Sequence, residues 1–96
     1  PDIYYYLGLA TAKSERFDDA AEFFSHTLDI KPDHLNALTA SAKLYIDMGK
    51  YDKAMERIKK ALQVEPGDPE LKSLKRKIRL IKTAEKTSKT LAKFKL

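Results

Sequence analysis

Few side chains in this sequence are of the kinds that carry out catalysis or bind metal ions. The 96 residues include two histidines and no cysteine, which excludes disulfides, thiolate metal sites and cysteine nucleophiles. His26 lies four residues after Glu22, but two ligands on one helix face do not make a zinc site, and we expect surface roles for His26 and His34. Asp18 and Asp19 stand at a predicted helix start, where carboxylates favour the positive end of the helix dipole. With no phosphate loop and no nucleophile–base pair, the sequence predicts neither an enzyme nor a cofactor.

The charge of the chain is unevenly distributed. Residues 1–68 contain nine Lys/Arg and twelve Asp/Glu, a net charge of −3, whereas residues 69–96 contain ten Lys/Arg and two acids, a net charge of +8. The basic character therefore belongs almost wholly to the last segment, and this asymmetry is the first clue to function.

The sequence shows no targeting or membrane-spanning segment. No apolar run approaches the roughly 20 residues of a spanning helix, and no basic stretch followed by an apolar run opens the chain. The chain starts at Pro1 and its first methionine is Met48. We therefore expect an excised piece of a longer protein, and we favour a cytoplasmic location.

Apolar residues recur at helical spacing between turn signals. Breaks are marked by Pro32, the pair Pro66-Gly67 and Pro69, and Gly49 stands where a helix end needs a left-handed residue. Spacings of three and four place side chains on one helix face, and no polar–apolar alternation typical of strands competes. The sequence thus predicts an all-α fold of about five helices. The first four apolar stripes are Ile3, Leu7 and Ala10; Phe17, Ala20, Ala21, Phe24 and Leu28; Leu38, Ala42, Tyr45 and Met48; and Ala54, Ile58, Ala61 and Leu62.

The sequence repeats itself after 34 residues, the period of one family of helical hairpins. Identical residues align at five positions and conservative pairs at four more. The identical pairs are Asp18 and Asp52, Ala20 and Ala54, Glu22 and Glu56, Leu28 and Leu62, and Pro32 and Pro66; the conservative pairs are Arg16 and Lys50, Phe17 and Tyr51, Phe24 and Ile58, and Ile30 and Val64.

Residues 1–34 and 35–68 resemble two units of the tetratricopeptide repeat (TPR) family. The resemblance implies that each unit is an antiparallel helix pair, in which small residues allow close approach of the backbones and a proline closes the unit. Unit one departs from the family pattern at Thr11 and Thr27, and unit two at Ser41. The matching positions are Tyr4, Leu7, Gly8, Ala20, Phe24 and Pro32 in unit one, and Leu38, Ala42, Tyr45, Ala54, Ile58, Ala61 and Pro66 in unit two.

Residues 69–96 resemble no complete third unit and are expected to form a basic capping helix. Asp68 precedes Pro69 and Glu70, a combination typical of a helix start. Arg76 occupies the position of the family's small residue, which disfavours a tightly packed partner helix, and repeat arrays need a polar cap for solubility. The apolar stripe of this helix is Leu71, Leu74, Ile78 and Ile81, and the helix could continue through Ala84, Leu91 and Phe94.

The resemblance implies a concave groove that binds a peptide or a helix of a partner protein, and the ligand would be an acidic or aromatic-bearing segment. The groove would be apolar at one end and would carry Lys43 and Lys77 at the other. Asp2 and Asp47 would also line it, with Glu70 at the rim. The candidate groove residues are Tyr5, Leu9, Ala12, Lys13, Asn36, Thr39, Lys43, Ile46, Ser73 and Lys77.

One class of TPR proteins clamps the C-terminal carboxylate of heat-shock chaperones with Lys, Asn and Arg at five positions. The residues of this chain at those positions match none of the clamp residues, so we expect no such clamp. They are Tyr5, Leu9, Ala40, Glu70 and Leu74.

The ten Lys/Arg of residues 69–96 leave three interpretations open. They could form a solvated outer face, they could meet anionic lipid, or they could follow nucleic-acid phosphates. Phe94 is the single aromatic residue of this segment, which disfavours base stacking, and the apolar stripe is expected to pack on the repeats, which disfavours lipid. We therefore predict an interaction module without catalysis, with docking to nucleic acid or membrane, and self-assembly into a homo-oligomer, as alternatives.

Overall fold

The computed structural model describes residues 2–94, with side chains described for residues 2–87. The described part consists of five α-helices and contains no strand, which confirms the all-α prediction. The helices are α1 (Asp2–Lys13), α2 (Phe17–Ile30), α3 (Leu35–Asp47), α4 (Tyr51–Val64) and α5 (Pro69–Phe94).

The helices form two layers. Short turns join α1 to α2 and α3 to α4, and these two pairs have the most extensive contacts. Helix α3 also contacts α1 and α5, so α1, α3 and α5 lie side by side in one layer, while α2 and α4 form the other. Helix α5 contacts both α4 and α3, so it covers one side of the second pair.

The turn geometry repeats after 34 residues, as the sequence does. The amide of Arg16 donates to the carbonyl of Thr11 (2.9 Å), and the amide of Lys50 donates to that of Tyr45 (2.8 Å). The residue before each of these two amides has a left-handed backbone conformation. Gly49 has φ 75°, as predicted, and Glu15 has φ 61°. Since the left-handed conformation disfavours side chains, Glu15 holds a backbone shape that is better suited to glycine.

Small residues bring the paired helices close together. Ala20, Ala42 and Ala54 are completely buried. Gly8 is buried as well, and a Cβ atom placed on it would lie 2.5 Å from Cε1 of Phe24. Since that distance is shorter than any ordinary carbon–carbon contact, the ring of Phe24 occupies the space that glycine leaves free.

Helix α5 closes the core of the second pair. Ile78 is fully buried against a cluster that includes Ile58, and Leu71 is fully buried against a cluster that includes Leu38. Leu74 and Ile81, the other two members of the predicted stripe, are half-buried. The predicted stripe therefore faces the repeats. Helix α5 continues to Phe94, and the side chains of Leu91 and Phe94 lie outside the described ones.

The apolar stripe predicted for the first helix does not face the core. Ile3, Leu7 and Ala10 are exposed, Ile3 with 73% of its surface. Helix α1 instead turns Gly8 towards α2, because the missing side chain allows the closest approach of the two backbones. Helical spacing correctly predicted one apolar face, but it did not predict that the core would form on another.

The predicted helix start at Asp68 is confirmed. Its side chain caps α5: Oδ1 accepts from the amides of Glu70 (2.9 Å) and Leu71 (3.3 Å). Asp18 and Asp19 lie in the first turn of α2, where Asp19 pairs with Arg16 at 2.6 Å.

Enlarging the small residues at the helix contacts should destabilise the fold. We expect Ala20→Leu and Ala54→Leu each to lower the free energy of unfolding by about 1–3 kcal/mol, because the added carbons have no space in a packed core. Ala84→Leu, the same substitution on an exposed surface of α5, is the control and should change stability little. Thermal and urea melts followed by circular dichroism measure the difference; unchanged melts of both core variants would contradict the close packing.

Candidate functional site

The layer formed by α1, α3 and α5 presents a surface that we call the inner groove. Tyr5, Leu9, Ala12 and Lys13 lie on α1; Asn36, Thr39, Lys43 and Ile46 lie on α3; and Ser73 and Lys77 lie on α5. Six of these ten candidate residues are exposed, whereas Tyr5, Ala12 and Thr39 are half-buried and Ile46 is 8% exposed. The three helices thus bring the candidate residues to one layer, but the exposed candidates offer a ligand more surface than the half-buried and buried ones do.

A cavity of about 240 Å³ lies at the α3–α5 end of the inner groove. It is lined by Lys43, Ile46, Asp47, Leu74 and Lys77. Ile46 also belongs to the core cluster around Ile58. It can therefore form the floor of the cavity, but it cannot extend to a ligand as a free side chain would.

The charges in this cavity are close to balanced. Lys43 forms an ion pair with Glu70 across the groove, from α3 to α5. Asp47 lines the same cavity as Lys77. The two lysines on which the sequence analysis based an acidic ligand are thus accompanied by two carboxylates. The cavity suits a ligand with balanced or few charges better than a strongly acidic one.

The α1 end of the inner groove is aromatic and apolar. The ring of Tyr5 lies 6.2 Å from that of Phe24 and 5.2 Å from that of His34, measured between centroids. These contacts hold Tyr5 in place, while the neighbouring Leu9 remains exposed. A side chain of a ligand could therefore pack here against a preformed surface.

His34 has a structural role that the sequence analysis missed. Its side chain is only 11% exposed, and its Nδ1 accepts a hydrogen bond from the amide of Ala37 (3.1 Å), which caps α3. Its Nε2 lies 3.2 Å from Oδ1 of Asp2, so one ring links α1 to α3. The surface role expected of His34 is thus wrong, since the ring is largely enclosed. The signal was available: a shift of 34 residues aligns His34 with Asp68, the cap of α5.

The other histidine remains at the surface, as expected. His26 is exposed, and its ring lies 5.4 Å from that of Tyr4. Among the side chains that the structure describes, no group of three or more His, Cys, Asp or Glu is placed to hold a metal ion. In the described residues, none of the helices combines the length and the apolar character needed to cross a bilayer.

The apolar side chains on the outside of α1 lie away from the inner groove. Ile3, Tyr6 and Leu7 are all exposed there. Such a surface is compatible with contact to another protein or to a second copy of this chain. Self-assembly stays a prediction, because the structure contains a single copy.

The model of the tetratricopeptide repeat family matches residues 12–78, more than half of the chain. The chain belongs to the tetratricopeptide repeat family. TPR domains generally mediate protein–protein interactions and are typically not catalytic. The membership confirms the resemblance seen in the sequence and gives the two-layered helical fold a functional class.

Three curated plant proteins are similar to part of this TPR chain. Hsp70-Hsp90 organizing protein 1 of Arabidopsis thaliana is 33% identical over 57 residues, which cover 59% of this chain and 10% of the relative. The Hsp70-Hsp90 organizing protein of Triticum aestivum is 34% identical over 56 residues, 58% of this chain and 10% of the relative. The protein CTR9 homolog of A. thaliana is 38% identical over 61 residues, 64% of this chain and 6% of the relative. The matches thus span a tenth or less of these relatives.

Replacing the His34 cap should loosen the α1–α3 side of the groove. We expect His34→Ala to lower the free energy of unfolding by about 0.5–2 kcal/mol, the usual cost of losing a helix cap. His34→Asn retains a side-chain acceptor that can reach the same amide, and it should recover most of the loss. Denaturant melts of the two variants and the wild type provide the comparison; equal losses in both would show that the ring contacts, rather than the cap, determine the effect.

Proposed function

We propose that this TPR chain binds an extended peptide segment of a partner protein in the inner groove and catalyses no reaction. The observation that carries the proposal is the arrangement of α1, α3 and α5 in one layer. One face of each helix packs in the core, and another face contributes exposed polar and apolar side chains to a common surface. Because the groove side chains stand on packed helices, a peptide would meet a preformed surface. Little conformational entropy of the protein would then be lost on binding.

The chemistry of the groove favours a peptide with an apolar or aromatic side chain at one end. Leu9 and the ring of Tyr5 would contact that side chain. At the other end, Lys43 and Lys77 would donate hydrogen bonds to a peptide backbone, and Glu70 and Asp47 would accept them. The acidic preference expected from the two lysines is reduced by the carboxylates beside them.

The likeness to Hsp70-Hsp90 organizing proteins makes a chaperone one candidate partner. The residues at the positions of the family's carboxylate clamp argue against binding through a C-terminal carboxylate. Glu70 would place a negative charge at one of the five clamp positions, and Leu74 at another is half-buried against the core. A chaperone, if it is the partner, would therefore be bound through an internal segment.

Charges introduced at both ends of the inner groove should weaken peptide binding. We expect Leu9→Glu combined with Lys77→Glu to reduce the affinity for a peptide selected from a random display library by about tenfold or more, equivalent to 1.4 kcal/mol. Lys77 is chosen because reversal of Lys43 would also break its pair with Glu70. Fluorescence anisotropy with the labelled peptide measures the affinity.

The matched control introduces the same charges elsewhere. Ile3→Glu combined with Lys31→Glu changes one exposed apolar residue of α1 and one exposed lysine outside the groove. This variant should bind as the wild type does. Equal affinity of the groove variant and the wild type, with both folded, would place the binding site elsewhere on the surface.

A further inference from the structure

A second surface of α5 belongs neither to the core nor to the inner groove. Lys72, Lys75, Arg76 and Arg79 follow one another at spacings of three and one, so they lie on one face of the helix. Together with Leu62 and Pro66 they line a cleft of about 340 Å³ between α4 and α5. We call it the basic cleft.

The lining of the basic cleft contains four cations and no carboxylate. Within the described part of the chain, none of these four side chains forms an ion pair. Like charges this close repel each other, and the repulsion is relieved when an anionic group binds between them.

Two carboxylates close to α5 are paired with lysines outside the basic cleft. Asp52 on α4 accepts a hydrogen bond from Lys82 at 2.5 Å, and this bond, together with the charge of Lys82, lowers the pKa of Asp52. Glu70 on α5 pairs with Lys43 across the inner groove. The positive charge of the basic cleft is therefore left available to a ligand.

Two apolar residues complete the lining of the cleft, Leu62 of α4 and Pro66 of the turn that follows α4. Leu62 is half-buried and Pro66, at the turn, is exposed. A ligand that fits must therefore combine negative charges with at least one apolar side chain. This combination is found in acidic segments of proteins, whereas a phosphate or another small anion would leave the apolar part uncovered.

Arg76 decides what kind of polypeptide can lie in the cleft. A shift of 34 residues aligns Arg76 with Ala42 of α3, and a shift of 68 residues aligns it with Gly8 of α1. At Ala42 and Gly8 the small residue lets the next helix, α4 or α2, approach closely. The long, exposed side chain of Arg76 prevents a helix from packing at that short distance. A ligand would instead lie over the extended Lys and Arg side chains, which suits contacts between guanidinium or ammonium groups and carboxylates.

We propose that the basic cleft binds an acidic peptide segment of a partner protein, separately from the inner groove. Carboxylates of the segment pair with Lys72, Lys75, Arg76 and Arg79, and one aliphatic side chain packs on Leu62 and Pro66. A nucleic acid fits less well, because no aromatic side chain lines the cleft to stack on bases. A membrane fits less well, because Leu71 and Ile78 of the apolar stripe are fully buried in the core.

The test uses a synthetic Glu- and Asp-rich peptide with one central leucine and the full chain. We expect Lys72→Glu combined with Arg79→Glu to reduce the affinity for this peptide by about tenfold or more. Both side chains are exposed, so the variant should retain its helicity by circular dichroism. Lys31→Glu combined with Lys50→Glu, the control, makes the same change of net charge at two exposed positions outside the cleft and should reduce the affinity by less than about twofold. Replacing the leucine of the peptide by serine should weaken binding severalfold.

Each alternative outcome has a defined meaning. An equal loss for the charge-matched control, Lys31→Glu with Lys50→Glu, would show attraction to net charge alone and would overturn the site. Equal affinity for the leucine and serine peptides would overturn the apolar contact. Tighter binding of a short DNA duplex or of phosphatidylserine vesicles than of the peptide, with the same dependence on Lys72 and Arg79, would overturn the assignment of a peptide ligand.

The location of the peptide can be read independently of the affinities. In NMR spectra of ¹⁵N-labelled protein, the amide chemical-shift changes caused by the peptide should cluster in the second half of α4 and the first half of α5. Shifts confined to α1 and α3 would place the acidic peptide in the inner groove and contradict a separate site. The inner-groove proposal does not depend on this result, because its own test uses a library-selected peptide and substitutions on other faces.

Discussion

The short distance between paired helices is the constraint on which the rest of the structure depends. Gly8 and Ala20 set it in the first pair, and Ala42 and Ala54 in the second. Where the backbones approach so closely, Phe24 and Ile58 can reach the adjacent helices and fill the core. Packing of this density tolerates neither added nor lost volume, so the small residues also fix how α1, α3 and α5 lie beside one another.

Helix α5 has different chemistry on three of its faces. One face carries Leu71 and Ile78 and completes the core; a second contributes Lys77 to the inner groove; a third, with Arg76 and Arg79, lines the basic cleft. This division explains how α5 can be so basic: between residues 69 and 87, where side chains are described, the cations lie on faces that have no core to cover. A helix that caps a repeat array can therefore also supply binding surface.

Much of the fold could be predicted from the sequence because its signals are local and occur twice. The left-handed Gly49 and the cap at Asp68 each depend on residues close together in the chain. The 34-residue period shows that the local pattern of one helix pair occurs again in the next. The face of α1 that packs in the core could not be predicted in the same way. Its apolar residues indicated one side, but the core formed on the side of Gly8, since close approach to α2 outweighs apolar character.

The candidate site was harder to predict, because its chemistry depends on residues far apart in the chain. The pairing of Lys43 with Glu70 changes the charge of the groove and joins residues on different helices. His34 caps α3 and meets Asp2 across 32 positions of sequence, and histidine is an unusual residue at a helix cap. Glu15 in a left-handed turn is a third case: only its alignment with Gly49 indicates the backbone shape.

The central claim is that two helix pairs need α5 as their cap, and truncation tests it most directly. Full burial of an aliphatic side chain contributes about 1.5–3 kcal/mol. Leu71 and Ile78, with the half-buried Leu74 and Ile81, therefore approach the roughly 5–15 kcal/mol of a small domain. The account predicts that a chain ending at Ala84 melts cooperatively near the temperature of the whole chain, whereas one ending at Asp68 shows no cooperative transition by circular dichroism. A cooperative melt of the shorter chain at the temperature of the longer one would contradict the account.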